Sequence, residues 1–344
     1  MLFLCFFIIL WVGNEAKVFR YTIQAPGFSS TEDDEYISMT VKPPPGYIIG
    51  YEPNATSEHI HHLMLAGCSE PYHKSLGLNH SGDTCDGRDW YMYSWAKNAG
   101  DISLPKNVSY KIGHQKDSVQ YLVLIYHYAN KAVDGYKDYS GLTLVMSDEP
   151  TKYSAVEYLF VAGTPLPPGE KLYKANVSCT YKSKTKATPF FYRVHTHDHG
   201  LVVSSYIFNY ETGFHLVGKR HPLWPQSFEK VENPVAVQEN DILAAQCIYN
   251  TENETDDIPM GMTNHHEMCN YQIMFYYDSN EENPFEDSSM CYDSALEEQQ
   301  FEYPNVDLLP HNQTLLDMAK HSEHNKHKGV KAHSEHGHAV AYHG

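Results

Sequence analysis

Positive charge is scarce in this chain: 25 Lys and Arg stand against 43 Asp and Glu, a formal net charge of −18 with histidine neutral. A surface with that balance repels phosphate backbones and anionic headgroups, which counts against nucleic acid and acidic membranes as partners. Long apolar runs are missing beyond Gly13, so no membrane span is expected in the mature protein. No Cys-x-x-Cys occurs, which argues against a zinc ribbon or a redox pair. No His-Glu-x-x-His occurs either, so an ordinary zinc protease is excluded. Helical periodicity is absent from every long segment of residues 17–165.

What is present begins with Met-Leu-Phe-Leu-Cys-Phe-Phe-Ile-Ile-Leu-Trp-Val-Gly, a short apolar run followed at once by polar sequence. It reads as a secretory signal peptide, residues 1–16, although it lacks a basic start. Asn-x-Ser/Thr sequons at Asn54, Asn79, Asn107, Asn176, Asn253 and Asn312 fit a glycoprotein of the secretory pathway, held in vesicles or secreted. Beyond the leader the cysteines are Cys68, Cys85, Cys179, Cys247, Cys269 and Cys291. An even count in an oxidising compartment predicts disulfides, and sequence leaves every pairing of them open.

Short runs rich in Val, Ile, Tyr and Thr, separated by Pro and Gly turns, predict an all-β chain of two tandem antiparallel jelly-roll-like sandwiches. Residues 119–128 are apolar on both faces, which predicts a central strand. Pro167-Pro168-Gly169 is a strong breaker and sets the expected division: 17–165 for the first unit and 166–305 for the second. A helical turn is expected within 294–300. From 306 to 344 the composition turns histidine-rich, and His321-Ser322-Glu323-His324 recurs as His333-Ser334-Glu335-His336. This reads as a disordered tail able to capture metal adventitiously.

The chemistry centres on Tyr192-Arg193-Val194-His195-Thr196-His197. On a strand, alternate side chains share a face, which puts Arg193, His195 and His197 together. Two imidazoles beside a fixed cation suit two metal ligands next to an anion clamp; the bland reading is a polar strand edge. In the first half, His61 and His62 precede an apolar strand, and both reach one metal only if the chain bends there. His127 lies in the most apolar run, where an unpaired imidazole is costly. In the second half, Met268, Asn270, Gln272 and Met274 share one face. A thioether beside imidazoles favours copper, the cuprous state in particular.

His-His-Leu-Met-Leu-Ala-Gly-Cys (61–68), Tyr-His-Tyr (126–128), Tyr-Arg-Val-His-Thr-His (192–197) and Glu-Met-Cys-Asn (267–270) occur in this order. In these motifs the chain resembles the copper type II, ascorbate-dependent monooxygenases, in particular the branch that hydroxylates glycine-extended peptides. The resemblance covers roughly residues 35–295. It implies two separate copper ions, one held by His61, His62 and His127 and the other by His195, His197 and Met268, with no catalytic side chain beyond these ligands. It implies the disulfides Cys68–Cys85, Cys179–Cys291 and Cys247–Cys269. It further implies ascorbate as reductant, dioxygen as cosubstrate and α-hydroxylation of a C-terminal glycine, the first step of peptide amidation. A separate lyase would complete that reaction, since the chain ends in its histidine tail and a monofunctional hydroxylase is expected.

Arg193 would then hold the glycine carboxylate, with Asn270 and Met274 as further substrate contacts. Two positions depart from the family pattern: Gln272 stands where Tyr is usual, and Ile125 where Gln is usual in the vertebrate enzymes. Tyr271, one place early, faces the wrong way to compensate. The rival readings are a catecholamine-type member of the family, which lacks the arginine, and a secreted copper-binding protein without turnover.

Overall fold

The computed structural model describes residues 17–114, 118–133, 135–261, 263, 265–286, 288–304 and 307–320. The leader at 1–16 and both His-Ser-Glu-His copies lie outside these residues. Strands build the structure, and its described helices are the short Ala295–Glu298 and Gln313–Lys320. The expected all-β pair of sandwiches is what forms.

The first half stacks a five-stranded sheet on strands Val18–Gln24, Gly141–Ser147, Gly46–Asn54 and Val108–Ile112. Within the five-stranded sheet, Tyr121–Tyr128 lies between Glu35–Val41 and His62–Cys68, central as predicted. Every residue from Leu122 to Tyr128 is buried. Leu122, Leu124, Tyr126 and Tyr128 enter the sandwich core. Strand alternation turns Val123, Ile125 and His127 to the opposite face. On that face Tyr36 stacks on the His127 ring, which has no exposed surface.

In the second half, the four-stranded sheet Tyr173–Thr180, Ile242–Tyr249, Gly200–Asn209 and Gly213–Arg220 packs on Tyr153–Ala162, Cys269–Asp278 and Thr188–His195. Ile242–Tyr249 is buried on both faces. Leu243, Ala245, Cys247 and Tyr249 fill the sandwich, while Ile242 and Ala244 meet Leu296 and Tyr303 near the short Ala295–Glu298 helix. Each such large aliphatic side chain, fully buried, contributes roughly 1.5–3 kcal/mol.

The halves are not separate bodies. Val108 and Ser109 pair in parallel with Tyr153 and Ser154, so strands from both belong to one ten-stranded sheet. Phe190, Phe228 and Met274 from the second half join the apolar cluster that holds Tyr93 and Trp95. Tyr153–Ala162 pairs along its whole length with Cys269–Asp278, so the chain enters the second half's sheet before it reaches Pro167. Composition marks the loop; the sheet that the preceding strand joins depends on a partner far along the chain.

The segment after 306 differs from the expected tail. Residues Gln313–Lys320 form a helix whose end is held, with Ser57 Oγ donating to Ala319 O at 3.2 Å and Asn98 Nδ2 to the same oxygen at 3.3 Å. Its Leu and Met content supports a docked turn of helix that the histidine count obscured. The sequons divide as well. Asn54, Asn107, Asn176, Asn253 and Asn312 are exposed. Asn79 is buried, with its amide nitrogen donating to Thr40 Oγ1 at 3.1 Å, so it is not open to a glycan in this fold.

Candidate metal centre

His62 and His127 are direct cross-strand partners on the face opposite the first core. His61 precedes the His62–Cys68 strand, where the chain bends after the turn at 57–59, and its N–H donates to His127 O at 2.9 Å. The bend lets neighbouring histidines point at one place. His61 Nδ1 lies 2.9 Å from His127 Nδ1, which lies 3.4 Å from His62 Nδ1. The three side chains offer ligand atoms that all fall within 4.8 Å of one another. Asp34 Oδ1 accepts from His127 Nε2 at 3.0 Å, and Tyr36 stacks on the same ring at 4.1 Å. A proton held on Nε2 leaves the Nδ1 lone pair facing inward.

The second set is built from a strand end. Arg193 and His195 lie on one face of Thr188–His195, opposite Gln272 and Asn270 in register. Val194 and Tyr192 point the other way, into the second core. His195 Nδ1 donates to Gln226 Oε1 at 2.7 Å, and His197 Nδ1 donates to His266 O at 2.7 Å. Both rings therefore turn Nε2 inward, and His197 Nε2 is buried without a partner among the described residues. His62 Nε2 shares that condition.

Glu267 organises the strand end. Its buried carboxylate accepts the backbone N–H groups of His197 at 2.9 Å, His199 at 2.8 Å and Met268 at 3.0 Å. Met268 is further fixed by Tyr249 Oη donating to its carbonyl at 2.6 Å and by the neighbouring Cys247–Cys269 disulfide. The ladder ends at the His195–Asn270 pair, so His197 and Met268 lie just beyond it and are joined through the Glu267 carboxylate that both backbones donate to. Cys68–Cys85 and Cys179–Cys291 are also bonded. Glu267 and Gln226 were invisible as site residues in the sequence. A Glu in the Glu-Met-Cys-Asn motif offered a weak signal, and Gln226 none.

The sets touch. The His61 ring lies 5.6 Å from that of His197, and the His62 ring 6.2 Å from that of His195, ordinary contact distances for rings. The two sets expected to hold separate copper ions thus pack ring to ring in this structure. Neutral imidazoles on dry faces gain by packing together, which strand patterns within one half do not reveal. Burial, then the neighbouring histidine and arginine charges, pushes His61 down to about 3 and His62 and His195 well below the ordinary histidine value. Neutral rings with inward lone pairs are the form in which a soft metal is bound.

Arg193 is buried beside this cluster. Nε donates to Gln226 O at 2.9 Å, Nη2 to Gln226 Oε1 at 3.1 Å and Nη1 to Gln272 Oε1 at 2.6 Å. A guanidinium has five N–H groups, so one remains on each terminal nitrogen. Asn270 turns its amide nitrogen to Cys269 O at 3.1 Å and Phe160 O at 3.4 Å, leaving no N–H directed at an anion. Met274 has no exposed surface and packs in the first core, so it serves as core rather than as a substrate contact. Ile125 is buried opposite Met64. Tyr271 faces the second core, as its offset predicted.

The models of the copper type II ascorbate-dependent monooxygenases match twice: the N-terminal domain over residues 21–134 and the C-terminal domain over 155–304. The chain is 36% identical over 272 residues to rat peptidylglycine alpha-amidating monooxygenase, covering 77% of this chain and 28% of that protein. To peptidyl-glycine alpha-amidating monooxygenase A of Xenopus laevis it is 36% identical over 263 residues, 75% of this chain and 28% of the other. Dog dopamine beta-hydroxylase is 25% identical over 258 residues, 68% of this chain and 41% of the other. The chain thus spans less than a third of the length of the first two relatives. Both halves of the sequence, matched in order and carrying the five convergent imidazoles, place this chain in the copper type II ascorbate-dependent monooxygenase family.

Proposed function

We propose that this protein hydroxylates the α-carbon of the C-terminal glycine in glycine-extended peptides, using copper, ascorbate and dioxygen. The observation that carries the reading is Arg193: a buried cation with two uncommitted N–H groups, two residues from His195 on the same strand face. His61, His62 and His127 would hold one copper ion and His195, His197 and Met268 the other. The orphaned, buried Nε2 of His197 and the converging Nδ1 atoms of the first set fit such occupancy. Bound copper supplies the electron transfer and oxygen chemistry that side chains lack.

The chain supplies the rest. Arg193 takes the peptide carboxylate and so aims the adjacent carbon at the His195 side of the cluster. Gln226 fixes both the Arg193 guanidinium and the His195 ring, coupling clamp to ligand. Glu267 sets the backbone of His197 and Met268. The buried imidazole faces keep bulk water from the reaction. The protein would work in the lumen of the secretory pathway, where a lyase converts the hydroxyglycine product to the amide. Among the described residues no helix is long and apolar enough to cross a membrane.

The direct test supplies copper, ascorbate, oxygen and a short glycine-extended peptide and looks for one added oxygen by mass spectrometry. The same peptide ending in an amide should react far more slowly. Equal rates on acid and amide would remove Arg193 from the mechanism, and tyramine as the better substrate would transfer the chain to the catecholamine branch.

A further inference from the structure

Behind Arg193 lies an acidic residue that the hydroxylation reading leaves unused. Glu157 sits on Tyr153–Ala162 and is 1% exposed. Gln272 bridges the two: its Oε1 accepts from Arg193 Nη1 at 2.6 Å, and its Nε2 donates to Glu157 Oε1 at 2.7 Å and to Ser94 Oγ at 2.8 Å. The other carboxyl oxygen, Glu157 Oε2, is buried with no hydrogen-bond partner among the described residues. Arg193 and Glu157 make no direct ion pair among the described residues, so the Gln272 amide alone joins the cation to the acid.

Charge arithmetic then matters. One buried cation beside one carboxylate is neutral, and the desolvation cost of each is partly offset by the other. A substrate carboxylate docked on the free N–H groups of Arg193 would leave two anions sharing one cation in a dry site. That arrangement favours the neutral form of the anion with the poorer hydrogen bonding. Glu157 is that anion, since Oε2 receives no donor. Burial already pushes its carboxyl up to about 7, against the pull of Arg193 and of the Gln272 hydrogen bond. The other titratable groups that feel its charge are Tyr51, Tyr91 and Tyr110, from the strands packed against it, all shifted upward chiefly by burial and so neutral. Glu157 also lines a cleft of 1540 Å³ between the two halves, which contains none of the five histidines.

We propose that Glu157, acting through Gln272, is a positioning and specificity residue for Arg193, and that docking of a carboxylate on the guanidinium draws one proton from solvent onto Glu157. The inference rests on the peptide-acid reading of the site. It makes discrimination between a peptide acid and its amide depend on pH. Where Glu157 is already neutral the acid docks freely; above that range each step of pH weakens the acid and leaves the amide unaffected. One linked proton limits the slope to about tenfold in affinity per pH unit.

The test is calorimetry of the copper-loaded protein without ascorbate, so that no turnover occurs, titrated with a short glycine-extended peptide in two buffers of different ionisation heat. At about pH 8 binding should take up close to one proton, and at about pH 5.5 almost none. The amide-ended peptide should take up none at either pH. Glu157→Gln should abolish the uptake and tighten the acid at about pH 8 by roughly tenfold. Uptake that persists in Glu157→Gln overturns the proposal. Absence of uptake in the unaltered protein overturns it without any variant, which covers the case where Glu157→Gln does not fold. If the acid binds and is hydroxylated with no proton taken up, only this inference fails. If the acid binds at neither pH, the peptide reading fails and takes the inference with it.

Discussion

The two histidine sets present opposite edges of the same side chain. His61, His62 and His127 converge through Nδ1, the nitrogen nearer the backbone, whereas His195 and His197 turn Nδ1 outward to Gln226 and His266 and present Nε2. The first set grows out of a sheet ladder in which His62 already faces His127, so the short reach of Nδ1 is enough. The second grows from a strand end, where the ladder stops at the His195–Asn270 pair and hydrogen bonds from remote loops must set the rings. The lesson is that one site is positioned by secondary structure and the other by its surroundings.

Removing a ligand is the harshest way to break the comparison. His127→Ala and His195→Ala should each abolish hydroxylation and halve the copper bound, leaving the opposite set loaded, as metal analysis of each variant will show. If one substitution empties both sets, the sets are a single unit and the contrast is lost.

The supporting residues come next. Glu267→Gln directs an amide at three backbone donors and should weaken copper binding or activity by roughly 10–100-fold, with a stability cost of about 1–3 kcal/mol. Asp34→Asn touches one ring only and should cost less. A copper titration in which Asp34→Asn equals Glu267→Gln would show that the ladder does not pre-set the first site.

Acid sharpens the comparison from the other side. His61, His62, His127 and His195 are all lowered, chiefly by burial, so at low pH the unfolded chain binds protons that the folded chain refuses. Stability of the copper-free protein should therefore fall as pH drops below about 6.5, the ordinary histidine value. Thermal melts across that range check it, and replacing His62 or His195 by Gln should flatten the dependence. The smallest effect is a control far from both sets. Arg20, on the edge strand Val18–Gln24, pairs with Glu52 at 2.8 Å on the sheet surface, and Arg20→Ala should leave copper binding unchanged and shift the melt only slightly, less so in high salt.

Much of the candidate site could be read along the chain. His-x-His with an arginine two places earlier, a histidine in an all-apolar strand and a His-His pair before another are each local patterns, and strand alternation alone puts Arg193 with His195. The bend needed at His61 is present. What escaped is the support: Gln226 in an irregular loop, Asp34 in a left-handed turn conformation at φ 56° and Glu267 accepting three N–H groups. Met274 shows the opposite failure. Its face was assigned correctly relative to Asn270, yet the first half's core covers it.

By itself the sequence determined the strands, their two-residue alternation and the placing of Arg193 with His195 on one strand face, because each depends on neighbours within a few residues. The tertiary structure decided which histidine nitrogen faces inward, that the sets meet ring to ring, and that Gln272 ties Arg193 to the buried Glu157. Those outcomes depend on which remote group takes each outer proton and on how two dry faces close, and no pattern along a single strand carries that information.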